Sequence, residues 1–199
     1  MKIRVASADD AFLIRDIYAY YVTNTDISFE FDVPSVDEMK KRITDTLKTA
    51  PYLIAEINNK VVGYAYASQF RVRKAYQYSY ELSVYIDKDY HRKGIARELY
   101  SKLFEILKVM NVKSLYACLT YPNFKSEEFH KSLGFETVGH LHHCGYKFDK
   151  WLDIIYMEKS LGDYNKIDEI VLFCDISSAC ISEMLYSKST DYGMIDKKG

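Results

Sequence analysis

Residues 91–96 read His91-Arg92-Lys93-Gly94-Ile95-Ala96 and join a β-branched and aromatic stretch to an amphipathic helical pattern. A helix N-terminus presents unbonded backbone N–H groups and the positive end of the helix dipole, so this turn is suited to an anion. Arg92, Lys93, Arg97 and His91 place further positive charge there, while Gly94 and Ala96 are small enough for a ligand to approach the backbone. A pyrophosphate fits that chemistry. A strand–turn–helix with a solvated basic turn is the plainer alternative. The turn has neither the Lys-Ser/Thr end of a phosphate-binding P-loop nor a Gly-x-Gly-x-x-Gly run, which disfavours both nucleotide folds.

Upstream, Glu81 shares one strand face with Ser79, Ser83 and Tyr85. That face is either simply half-exposed and polar or the seat of a carboxylate that takes up protons. Arg71, Arg73 and Tyr76 lead into the same strand, and Lys147 lies in the last hairpin. Any of these cations could grip a substrate carboxylate, arginine bidentately, or could belong to a solvated basic link. Phe29 and Phe31 stand in an apolar first loop that either covers a cleft or packs. His140, His142, His143 and Cys144 could suggest a metal. Alternation along a strand sends their side chains to two faces, and no carboxylate completes a known spacing, so no metal site is expected.

These residues need elements to hold them. Lys2 to Ala6 reads as a strand, and Ser7 with Asp10 opens a helix to about Tyr21. A loop over 24–34 follows. Ser35 with Glu38 then opens a helix carrying Val36, Met39, Ile43 and Leu47. Strands over 52–57 and 60–70 meet at Asn58-Asn59, and a long strand covers 76–87. Ile95, Leu99, Leu103, Ile106 and Met110 mark the buried stripe of the next helix. A strand over 113–120, a short helix over 122–133 stopped by Gly134, and strands over 135–148 and 151–161 complete the order βααβββαβαββ. This order predicts a twisted mixed α/β sheet with helices on both faces. Residues 1–161 are expected to form this domain. Residues 162–199 form an extension in which Ile167, Ile170, Val171, Cys174, Ile181 and Leu185 fall at nearly helical spacing, with a mobile end.

The chain has 199 residues, of which 48% are hydrophobic, enough for one sizeable core. A formal net charge of −1 gives no overall field for nucleic acid or anionic lipid. Neither a signal peptide nor an eighteen-residue apolar run is present, so a soluble cytoplasmic protein with no membrane partner is expected. The four cysteines lack Cys-x-x-Cys spacing and read as buried thiols. Nineteen tyrosines and ten phenylalanines suit strand surfaces and a lined cleft.

The basic turn resembles the pyrophosphate loop of the GNAT acetyltransferases, Gln/Arg-x-x-Gly-x-Gly/Ala, with His91 in place of Gln/Arg. Ala75-Tyr76, Glu81-x-Ser83-Val84-Tyr85-Ile86, Pro122-Asn123-x-x-Ser126, His130-x-x-Leu133-Gly134-Phe135 and Gly145-Tyr146-Lys147-Phe148-x-x-Trp151-x-Asp153 occur in the order found in the phosphinothricin acetyltransferase family. The resemblance covers roughly residues 1–161. It implies a GNAT fold, acetyl-CoA as co-substrate and a homodimer. The acceptor it implies is the α-amino group of an amino-acid analogue, attacking directly without a covalent enzyme intermediate. Glu81 then matches the general base. The backbone of Val84, Tyr85 and Ile86 would pair with the pantetheine arm, and residues 91–96 would hold the pyrophosphate. Asn123 and Ser126 would hold the cofactor from the far side, or cap a helix, or do both. His130 takes the place of a tyrosine that protonates the departing thiolate, or is a packed histidine. Phe29, Arg71, Arg73, Tyr76 and Lys147 would face the acceptor. The rival from another class is an acetyl-CoA-binding sensor or assembly module without turnover. A protein N-terminal acetyltransferase is a third reading.

Overall fold

The computed structural model describes residues 1–187. Its strands are β1 (Lys2–Val5), β2 (Tyr52–Ile57), β3 (Lys60–Gln69), β4 (Ser79–Ile86), β5 (Ser114–Tyr121), β6 (Glu136–Lys147) and β7 (Lys150–Ser160). The helices are α1 (Ala11–Asn24), α2 (Val36–Leu47), α3 (Ile95–Val109), α4 (Phe124–Lys131) and α5 (Ser178–Tyr186). The strands form one seven-stranded sheet in the order β1-β2-β3-β4-β5-β7-β6. Every neighbouring pair is antiparallel except β4 and β5.

Strand alternation divides the core. Leu53, Ala55, Leu82 and Ile86 join Leu99, Leu103 and Phe104 of α3 on one face. Tyr52, Ile54 and Tyr64 join Ile14, Tyr18 and Ile43 of α1 and α2 on the other. All five residues of the expected α3 stripe are buried, and Tyr100, Ser101, Lys102 and Phe104 are buried besides, so the helix is covered well beyond the stripe. Asn58 and Asn59 both take positive φ, the geometry a two-residue hairpin needs. Ser35 accepts from the Glu38 N–H, but Glu38 turns its own carboxylate to Arg42, so the second capping box is half made.

The strand expected from Tyr76 begins only at Ser79. A 3₁₀ turn over Lys74–Tyr76 reverses the chain, and the Phe70 N–H then meets the Ser79 carbonyl at 3.0 Å. The extension is mostly irregular rather than one helix. It carries a 3₁₀ turn at Phe173–Asp175 and then α5. Phe173 is buried in the α3-side core, and the buried Lys102 ammonium donates to the Met184 and Ser187 carbonyls at 2.7 and 2.8 Å. The described part of the extension therefore packs on its own domain; the mobile end expected beyond it lies outside the described residues. Cys118, Cys144 and Cys174 are exposed and Cys180 is half-buried, contrary to the expectation of buried thiols, because all four stand on outward-facing positions.

Candidate active site

β4 and β5 run parallel through only three pairs, Ser79–Ser114, Tyr80–Leu115 and Glu81–Tyr116. Beyond Glu81 the strands part. The bonds Asp87 N–H to Val62 and Phe70 N–H to Ser79 show which residues of β4 bond β3: the odd-numbered ones. Val84 and Ile86 consequently direct their backbone groups into the gap, and Tyr85 directs its own to β3. This corrects the expectation for Tyr85, whose ring also turns away to pack on Tyr18, Tyr21 and Tyr64 at 5.0, 5.1 and 5.3 Å. The gap at Ile86 is already filled, because Tyr21 Oη donates to its carbonyl at 2.6 Å and accepts from its N–H at 3.2 Å. Among the described residues, Val84 is left with no strand opposite.

The gap opens into a cavity of about 800 Å³. Val84, Ile86, His91, Arg92, Gly94, Ile95, Ala96, Asn123 and Ser126, distant in sequence, all line it. Lys93 does not; its ammonium donates to the Asp89 carbonyl at 3.2 Å and lies over the Tyr90 ring. His91 reaches the rim, but its Nε2 lies 3.0 Å from Tyr21 Oη and 3.1 Å from the Ile86 carbonyl, so this nitrogen braces the turn rather than a ligand. Arg92 and Gly94 both sit at positive φ, 62° and 79°, which folds the turn so that α3 points its first N–H groups at the cavity. A Cβ on Gly94 would meet no protein atom within 4 Å and would stand in open cradle space. An anionic, elongated cofactor such as acetyl-CoA fits this donor set. Asn123 caps α4, with Oδ1 accepting from the Ser126 N–H at 3.3 Å, and also lines the cavity.

Glu81 stands where the two strands part, half-buried. Desolvation raises its pKa above the ordinary carboxylate value, with Arg71 opposing. Arg71 lies over the Phe70 ring, and its field reaches Glu81, Cys118 and Tyr156. Phe70 stacks on Tyr116 at 4.3 Å and meets Tyr76 edge-on at 6.2 Å. On the same sheet face Ser68, the partner of Glu81, lines a second cavity of about 530 Å³ with Tyr18, Glu30, Arg42, Tyr52 and Tyr66. Phe70, Tyr116, Tyr156 and this tyrosine-lined space were missed in sequence. The excess of tyrosine was the available signal, but it names no positions.

The profile of the Acetyltransferase (GNAT) domain matches residues 3–156. The chain is 36% identical over 162 residues to a phosphinothricin N-acetyltransferase of Alcaligenes faecalis, covering 80% of this chain and 82% of that protein. It belongs to the phosphinothricin acetyltransferase family of GNAT enzymes. A phosphinothricin acetyltransferase of Sinorhizobium meliloti, solved in complex with acetyl-CoA, superimposes with a TM-score of 0.82 at 32% identity, over 87% of this chain and 96% of that one. An L-methionine sulfoximine/L-methionine sulfone acetyltransferase of Salmonella typhimurium is 29% identical, over 82% of this chain and 96% of that protein. The chain is thus an acetyl-CoA-dependent N-acetyltransferase.

Within this GNAT framework two assigned residues change role. His130 is buried, and its ring does not face the cavity. Nδ1 donates to the Ser126 carbonyl at 2.8 Å, Nε2 lies 3.3 Å from Tyr100 Oη, and Phe129 and Phe135 pack edge-on. Burial lowers its pKa to about 4, so it is neutral near pH 7 and poorly placed as an acid for the thiolate. Lys147 is also buried. Its ammonium donates to the carbonyls of Val22, Thr25 and Ser28 at 2.7, 3.1 and 2.6 Å, tying down the first loop rather than meeting an acceptor. Phe29 of that loop lies on Gly145, where a methyl group would overlap its ring. Arg73 is exposed on the link, as is its neighbour Val72. Cys118 opens to solvent beside Glu81, and desolvation with the field of that carboxylate pushes its thiol up to about 11, a poor nucleophile near neutrality.

The histidine cluster also differs from expectation. His140 and His142 share a face, and Asp153 of the neighbouring strand reaches both. Sequence spacing could not show this, because the carboxylate comes from across the hairpin.

Proposed function

We propose that this GNAT enzyme acetylates the primary amine of a small amino-acid-like acceptor, of the phosphinothricin or methionine sulfone type. The observation that carries the reading is the placement of Glu81. A desolvated carboxylate stands where β4 and β5 part, between the cofactor-sized cavity at the end of β4 and the tyrosine-lined cavity beside Ser68, its partner on β3. Amine and acetyl donor can meet through the gap.

Bound acetyl-CoA supplies an activated thioester. The N-terminus of α3 and Arg92 hold anionic charge, and Asn123 and Ser126 flank the arm from α4. The Val84 N–H, directed into the gap, can donate to the developing oxyanion. An alkylammonium with a pKa of about 10.4 keeps its proton near neutrality. Glu81 takes that proton, directly or through one water; the neutral nitrogen then attacks the thioester carbon, the C–S bond breaks as the amide forms, and the departing thiolate is protonated by the proton the nitrogen sheds or from solvent. Arg71, close enough for its field to act on Glu81, faces an acceptor carboxylate; Tyr76 and Phe70 give that side an apolar wall, and Phe29 covers it. His130 is not assigned a proton.

The test is steady-state thiol release from acetyl-CoA with phosphinothricin, methionine sulfone, simple alkylamines and a short peptide. Turnover greatest with the first two supports the reading. Turnover only with the peptide, or none with any amine, overturns it.

A further inference from the structure

The outer hairpin of the sheet carries a second constellation of chemistry-bearing side chains, away from the transferase cavity. β6 and β7 lose register between Leu141 and Gly145, and His143 takes a positive φ of 50° within this bulge. The bulge turns the His143 N–H onto Asp153 Oδ1 at 2.8 Å. The other carboxylate oxygen, Oδ2, receives His140 Nε2 at 2.8 Å and His142 Nδ1 at 2.9 Å. All three ligand atoms lie within 4.8 Å of one another. His142 is largely open, and His140 and Asp153 are partly so, leaving a path for an ion from solvent.

From this geometry we propose that His140, His142 and Asp153 form a binding site for a divalent transition cation of borderline softness, such as Zn²⁺.

Two imidazoles and one carboxylate suit that ion class, with further positions left to water. Metal–ligand bonds of about 2.0–2.2 Å in a tetrahedral set put donor atoms roughly 3.3 Å apart. The two His–Asp spacings, 2.8 and 2.9 Å, then open by a few tenths of an ångström, while the two imidazole nitrogens, within 4.8 Å of each other, come to the same separation by rotation of the exposed His142 side chain. Each imidazole then presents a lone pair where it now presents an N–H, the proton passing to the other ring nitrogen or to solvent. The carboxylate is held from both sides, by the His143 N–H on Oδ1 and by the two imidazoles on Oδ2. The same backbone N–H fixes which oxygen faces the imidazoles, as outer partners of metal ligands do. His140 also meets the Tyr121 ring at 4.8 Å, two residues before Asn123 on the cofactor cavity. A bound cation would brace this end of β5. The site does not rest on the choice of acceptor or on turnover.

Zn²⁺ is the probe, titrated by calorimetry into chelator-treated full-length chain, with Co²⁺ absorption as a spectroscopic check. We expect about one equivalent taken up, an affinity at least tenfold weaker in H142Q and in H140Q, and an unchanged affinity in H143Q. H142Q alters a mostly exposed side chain, and its thermal unfolding can be compared directly with the parent. No saturable uptake, a loss below tenfold in both variants, or an equal loss in H143Q overturns the proposal.

Discussion

A carboxylate in water is a weak base toward an ammonium ion, and Glu81 gains strength from its partly dry position between β4 and β5. E81Q nearly preserves shape and removes the proton acceptor. Turnover should fall by about two orders of magnitude or more while acetyl-CoA affinity, read by calorimetry, stays put. The pH profile gives a second reading. Its raised pKa means that Glu81 is protonated, and inactive, to a higher pH than an ordinary carboxylate. The activity of the parent should rise as pH climbs through that value, and the E81Q profile should lack this limb. A limb retained in E81Q would assign it to another group. Arg71 is separable from Glu81 by substrate. R71A should raise KM for acceptors bearing a carboxylate and spare simple alkylamines, and an equal loss on both would make it a residue of the fold. The strand that carries Glu81 was legible in sequence, but its place where β4 leaves β5 was not. Nor were the roles of His130, Lys147 and Asp153, because each depends on partners brought close by folding. Lys147 answers to carbonyls more than a hundred residues away.

At the scale of elements, periodicity and turn chemistry carried most of the reading. The α3 stripe, the Asn58-Asn59 hairpin and the order of strands and helices are local patterns, and local patterns survive in a linear text. The parting of β4 from β5 is not local, since neither strand's composition says where its neighbour leaves it. The first loop is similar: its apolar residues were visible, but the ammonium that ties it was assigned elsewhere. K147M should leave two buried carbonyls and one half-buried carbonyl without their donor and destabilise the chain by at least about 2 kcal/mol in chemical denaturation. The loosened loop should also raise acceptor KM more than acetyl-CoA KM. At the start of α3, G94E forces a bulky anion at positive φ into the cradle, and acetyl-CoA binding should be lost in a chain that still unfolds cooperatively.

Over the whole molecule, the described extension is anchored to the core through Phe173, with half-buried Ile170, Ile176, Ile181 and Met184 packed beside it. F173A removes a buried ring from the α3 side and should cost about 3 kcal/mol, visible as a lower denaturation midpoint with an unchanged slope. The opposite edge is less complete. Val138, Leu141, Tyr146, Phe148 and Trp151 of the β6–β7 hairpin are exposed together at the sheet edge. So much apolar surface on the outer hairpin favours a twofold dimer through it. Light scattering should give twice the chain mass and W151E a monomer; a parent monomer at working concentration would refute the dimer. Among the described residues no helix is long and apolar enough to cross a membrane.

The gap between β4 and β5 makes the sheet two panels hinged on three residue pairs, and a ligand lying in it acts as the missing lath. Holding the cofactor and holding the protein together then become one event. The Val84 amide, with no strand opposite, should exchange its hydrogen quickly in the free protein and slowly once acetyl-CoA is bound. The whole chain should gain about 2.7 kcal/mol of stability at a hundredfold excess of acetyl-CoA over its dissociation constant. An enzyme of this build should be stiffest while loaded, and should slacken each time its product leaves.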